Sequence, residues 1–141
     1  MISTVQRGLS VEYRFISYCL ENGIQISKPL SPDSPYDCII ELPNKKLQKI
    51  QIKRGYQSSN SSNSFICKFR SSHLNKNGSV NKSYSKEDVD GFICWYEKLP
   101  NLFFYIPNDT DKTQISICFK NKTNLKQNWY EDYIFNINML A

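Results

Sequence analysis

One histidine in 141 residues excludes any site that needs two imidazoles. It also leaves a Ser-His-Asp or Cys-His arrangement a single candidate, His73, in a polar stretch. The five cysteines, at 19, 38, 67, 94 and 118, are odd in number and have no paired spacing. Without ligand pairs a few residues apart they make no zinc cluster, and they read as buried, reduced thiols. No apolar run approaches the ~20 residues that span a bilayer, and MISTVQRGLS lacks a charged-then-apolar signal pattern. An intracellular, cytoplasmic chain is expected, with no membrane partner. An acidic surplus is missing too: 18 Lys and Arg against 13 Asp and Glu leave a net charge of +5, a mild bias towards anionic partners such as nucleic acid.

A hydrophobic share of 40%, a charged share of 22% and an aromatic share of 13% describe a folded globular chain, here one domain over 1–141. Residues 4–22 read as a helix stopped by Gly23. Val5, Leu9, Ile16, Cys19 and Leu20 fall on one apolar stripe, and Gly8 is its weak point. Glu12 projects into the middle of that stripe, a carboxylate where a leucine is expected. IQISKPL and YDCIIEL read as strands separated by a turn at 32–35, and KLQKIQIKRGY returns after a hairpin loop at 43–45. A hairpin centred on Asn44 places Asp37 opposite Gln51, with Lys53 one step further on the same face and Ile50 and Ile52 on the other.

Residues 57–64 are nearly all Ser and Asn, FICKFR reads as a strand, and 71–88 is a long polar, lysine-bearing segment, a length that marks a binding element or a disordered one. GFICWYE, LFFYIP and QISICF supply three more strands. The end, LKQNWYEDYIFNINML, reads as an amphipathic helix with Trp129, Tyr133 and Ile137 four apart.

Glu12 on a helix, Asp37 at the head of a strand, and Gln51-Ile52-Lys53 on the next strand form an ordered set. In sequence they read GLSVE, SPYD and QIK. This set resembles the PD-(D/E)XK nuclease superfamily, and the run from 8 to 133 is similar to the small endonucleases of that type associated with group I introns. The resemblance implies an α/β (α+β) restriction-endonuclease-like core, a central mixed sheet flanked by helices, with a polar DNA-binding hairpin or loop extension. It assigns catalysis to Glu12, Asp37, Gln51 and Lys53. Asp37, Gln51 and the Ile52 carbonyl would hold Mg²⁺, with Mn²⁺ as the alternative, and Glu12 would join through water or a second metal. Gln51 stands where an acidic residue is usual; an amide oxygen binds a cation without neutralising it.

Cleaving a phosphodiester brings an anionic nucleophile to an anionic phosphate, and a hard cation held by oxygen ligands offsets that repulsion. Lys53 would orient or deprotonate the attacking water. Lys68, Arg70, Lys76 and Lys82 suit phosphates, and Ser71, Ser72, Asn75, Asn77 and Asn81 suit base edges, on a ribbon entering a groove of double-stranded DNA. One site cuts one strand, so a self-associated homodimer or homotetramer is expected, with FFYIP and the C-terminal segment as candidate interfaces. A four-way junction resolvase and a catalytically weakened DNA-binding protein remain open alternatives.

Overall fold

In the computed structural model, residues 1–75, 78–109, 112–121 and 127–140 are described, the side chains of 70–83 excepted. Helix α1 spans Thr4–Glu21. It begins where Ser3 accepts from the Gln6 backbone and Gln6 returns the bond to the Ser3 backbone, a capping box that satisfies two otherwise unpaired N–H groups. It ends at Gly23, whose φ of +69° is the left-handed turn that only glycine adopts without strain.

The chain then lays down β1 (Ile26–Ser27), β2 (Cys38–Glu41), β3 (Leu47–Arg54), β4 (Tyr56–Gln57), β5 (Ser64–Lys68), β6 (Arg70–Asn75) and β7 (Gly78–Ser83). After these come β8 (Gly91–Trp95), β9 (Phe104–Pro107), β10 (Gln114–Cys118) and β11 (Asn128–Trp129). One sheet runs β1-β2-β3-β8-β9, antiparallel except for the β3/β8 pair. The second runs β11-β10-β5-β4, antiparallel except for β10/β11. A parallel neighbour requires a crossover, commonly a helix. Here the connection from β3 to β8 carries β4 to β7 instead, so the same excursion builds half of the second sheet and an outlying hairpin.

Alternation along β3 and β8 sorts the core into two layers. Ile50, Ile52, Ile93 and Trp95 pack with Val11, Phe15 and Cys19 of α1. Phe92 and Cys94 point the other way and pack with Phe65, Cys67 and Ile117 of the second sheet. Helix and second sheet therefore cover opposite faces of the first sheet. All five cysteines are buried and free, as their sequence settings imply.

Three sequence expectations need correction. The buried stripe of α1 is Val11, Phe15 and Cys19, whereas Val5, Leu9 and Leu20 are 73%, 43% and 67% exposed. At about 100° per residue the helix carries two apolar stripes roughly 120° apart. The one holding Phe15 wins, because its ring lies edge-on to Phe103 and Phe135 at 5.3 and 5.6 Å. Glu12 thus flanks the buried face instead of interrupting it. The C-terminal segment is not an amphipathic helix but β11 followed by 3-10 turns at Tyr130–Tyr133 and Ile137–Leu140. Its backbone is drawn to open strand edges: Cys118 pairs with Trp129, Phe104 bridges Ile134, and the Phe135 N–H donates to the Phe103 carbonyl at 2.7 Å. Phe103, Phe104, Tyr105 and Ile106 are buried within the chain, so their side chains supply core.

Gly8 sits inside α1, and a methyl group added there meets nothing within 4 Å. Gly8→Ala is expected to stabilise the fold by about 1 kcal/mol, seen as a rise of about 3 °C in melting temperature.

Candidate active site

The β2/β3 hairpin turns through Lys45, whose φ is +73°. Its register runs from Glu41 opposite Leu47 to Cys38 opposite Ile50, where the pairing ends one residue short of Asp37. Strand β2 stops there because Ser31-Pro-Asp-Ser-Pro folds into short turns, with Ser31 and Ser34 hydroxyls accepting from the Asp33 and Tyr36 backbones. Asp37 lies in a bend just outside β2 and is tied to β3 all the same. Its N–H donates to the Ile50 carbonyl at 2.8 Å, and its Oδ2 accepts from the Ile52 N–H at 2.8 Å. The carboxylate thus continues the ladder that the departing strand gives up. The Ile52 carbonyl, on the same side of β3 as its N–H, faces the gap past the end of β2.

Among the described residues, Asp37 Oδ1 and the Gln51 amide have no hydrogen-bond partner. Two uncommitted side-chain oxygens and a backbone carbonyl are the hard ligands that Mg²⁺ or Mn²⁺ takes. The donor set therefore fits such an ion. No group of three His, Cys, Asp or Glu occurs among the described residues, so this set depends on neutral oxygens.

Burial pushes the Asp37 carboxyl above its ordinary value. The Ile52 N–H opposes the rise, Glu12 reinforces it, and Lys53 and Lys28 oppose it. Glu12 and Asp37 share a cleft of about 380 Å³, bounded by α1 and the loop over 28–36. Lys28 Nζ lies 2.6 Å from Glu12 Oε1, and that hydrogen bond raises the Lys28 pKa. Gln51 and Lys53 do not line the cleft. By strand alternation they stand on the Phe92/Cys94 face of the sheet, beyond Asp37.

There Lys53 Nζ donates to Tyr84 Oη at 2.9 Å and sits 4.8 Å from the centre of that ring. Tyr84, two residues in sequence ahead of Lys86 and just past β7, is braced edge-on by Phe92 at 5.6 Å. Tyr84→Phe keeps the ring and removes the acceptor for the Lys53 ammonium. Cleavage is expected to fall about tenfold with KM nearly unchanged, because the oriented lysine has lost one hydrogen bond.

A family model for PD-(D/E)XK endonucleases matches residues 2–135. The chain belongs to the PD-(D/E)XK endonuclease family. A solved bacterial homing endonuclease, I-Ssp6803I, superposes on this endonuclease with a TM-score of 0.78 over 94% of its chain and 89% of the neighbour's, at 23% identity. The two share a fold. A comparison with curated proteins finds no match. Endonucleases of this family generally use divalent metal ions and act on DNA. No helix among the described residues is long and apolar enough to cross a membrane.

The expected DNA-contacting residues divide by position. Lys68 ends β5, its ammonium 5.2 Å from the Tyr56 ring centre. Arg70, Ser71, Ser72 and Asn75 belong to β6, and Asn81 and Lys82 to β7, so the segment read as polar loop is a two-stranded ribbon pairing Ser71 with Lys82 and Ser72 with Asn81. Lys76 and Asn77 lie outside the described residues. Sequence reasoning missed Lys28 and Tyr84. Neither has a local signal: Lys28 is 16 positions from Glu12 and Tyr84 is 31 from Lys53, so only the fold joins them.

Proposed function

We propose that this endonuclease is a divalent-metal-dependent, site-specific enzyme that makes a double-strand break in DNA, of the type that drives homing of a group I intron. The observation that carries the reading is the hydrogen bond that holds Asp37 on Ile52, between Gln51 and Lys53 of β3. Asp37 Oδ1, the Gln51 amide oxygen and the Ile52 carbonyl would hold the ion, Mg²⁺ or Mn²⁺. When bound, the ion lowers the pKa of a coordinated water and draws charge from the phosphate. Lys53, steadied by Tyr84, would orient the attacking water or donate to the phosphate oxygen on which charge builds. The Ile52 N–H fixes the Asp37 carboxylate in one rotamer, so its free oxygen is aimed before substrate arrives.

The β6/β7 ribbon is the element offered to a DNA groove, and Lys68 extends the basic track to the second sheet. Two copies about a twofold axis, or a tetramer of two such pairs, bring one site to each strand. Fold likeness to a homing endonuclease supports homing over junction resolution. The test incubates the protein and Mg²⁺ with a randomised linear duplex library and, separately, a mobile four-way junction. A paired cut within one recurring duplex sequence is the expected result. Symmetric nicks in the junction alone would replace homing with resolution, and binding with no cut would make the chain a DNA-binding relative.

A further inference from the structure

Lys28 enters the Glu12/Asp37 cleft from the loop that follows β1. Its ammonium is 2.6 Å from Glu12 Oε1 and 5.0 Å from the centre of the Tyr13 ring, so two consecutive residues of α1 fix the position of one charge. An ammonium has three N–H donors. Glu12 is the hydrogen-bond partner of one, and among the described residues the others have none. Asp37 lies on the same cleft and feels the Lys28 charge.

The charges of the site decide how many ions it can take. Glu12 and Asp37 are matched by Lys28 and Lys53, Gln51 adds nothing, and no further acidic or thiol ligand joins them among the described residues. One divalent cation on Asp37 leaves the positive excess that a phosphodiester anion meets. A second would have to take Glu12 from Lys28 and leave an ammonium beside two metal ions, with like charges disfavouring each other at such range.

We propose that Lys28 does the work of a second metal ion. It uses Glu12 as its counterion and turns its remaining N–H donors to an oxygen of the scissile phosphate. The endonuclease then carries one divalent cation per chain, and Glu12 is a positioning residue for Lys28, not a metal ligand. The inference rests on the endonuclease reading above and departs from the sequence expectation that Glu12 helps to bind metal.

The experiment titrates the full chain with Mn²⁺ by calorimetry in the absence of DNA, and measures Mg²⁺-dependent cleavage of duplex DNA in parallel. Wild type should bind one Mn²⁺ per chain, and Glu12→Gln should match it in count and within about twofold in affinity. Lys28→Met, which keeps the aliphatic stem, should release Glu12 and either admit a second Mn²⁺ or tighten the first about tenfold. Its turnover should drop about a hundredfold, and Lys28→Arg should recover most of that loss. Two Mn²⁺ per wild-type chain, a tenfold loss of affinity in Glu12→Gln, or undiminished cleavage by Lys28→Met would overturn the role of Lys28. Any of these in an enzyme that still cuts leaves the nuclease reading standing. Wild type that binds Mn²⁺ and cuts no DNA overturns that reading, and the inference with it.

Discussion

Asp37→Asn and Lys53→Ala are each expected to abolish double-strand cleavage while leaving DNA binding intact. The amide that Asp37→Asn introduces can still accept from the Ile52 N–H, so the ladder at the end of β2 survives, but the charge that anchors the cation is gone. Lewis-acid stabilisation of several kcal/mol is lost; at about 4 kcal/mol the rate falls about a thousandfold. Lys53→Ala removes the group aimed at the water and phosphate, and a similar loss is expected. Neither substitution lies in the β6/β7 ribbon, so a gel-shift titration should give wild-type affinity in the absence of metal. Retention of near wild-type cutting by either variant would remove it from the site.

The Asp37 substitution should also stabilise the metal-free fold. Its carboxyl titrates above the ordinary value because burial disfavours the charged form. The native state therefore holds its proton more tightly than the unfolded chain, a contribution present in acid and lost as pH rises through the raised folded pKa. At neutral pH the ionised group is a burden that asparagine does not carry. The melting temperature of Asp37→Asn should exceed wild type at neutral pH without metal, and the gap should close in acid.

How much of this site could be read from the chain depends on distance along it. The hairpin was legible because one loop fixes its register: a centre at Asn44 determines the pairs from Glu41 with Leu47 to Cys38 with Ile50, while Asp37, in the bend beyond, gives its N–H to Ile50. The helix was legible in extent but not in rotation. Two apolar stripes of similar strength compete, and only the rings of Phe103 and Phe135, far along the chain, decide between them. The C-terminal spacing of Trp129, Tyr133 and Ile137 suits a helix equally well, and unpaired edges on β9 and β10 override it. The ribbon at 70–83 is filled with Ser, Asn and Lys and lacks the apolar/polar alternation of a half-buried strand, so only its backbone pairing reveals it. Lys28 and Tyr84 share that obscurity, since each acquires meaning from a residue that folding brings to it.

Gln51→Glu is expected to convert a weak metal site into a tight one, at a cost to the protein without metal. The introduced carboxylate would stand next in sequence to Ile52, whose N–H holds Asp37, and the ionised form of Asp37 already suffers from burial and from the charge of Glu12. A third carboxylate there raises the repulsion that folding must bear, so the metal-free variant should melt below wild type. Metal reverses the sign, because the same charges become ligands. A tenfold gain in Mn²⁺ affinity adds about 1.4 kcal/mol to ligand-linked stability at saturating metal, or about 4 °C to the metal-induced rise in melting temperature. Cleavage should persist at Mg²⁺ concentrations too low for wild type, since Lys53 and Asp37 are unchanged. If the variant melts low and metal does not restore it, Gln51 has a structural part in β3 and the third ligand lies elsewhere.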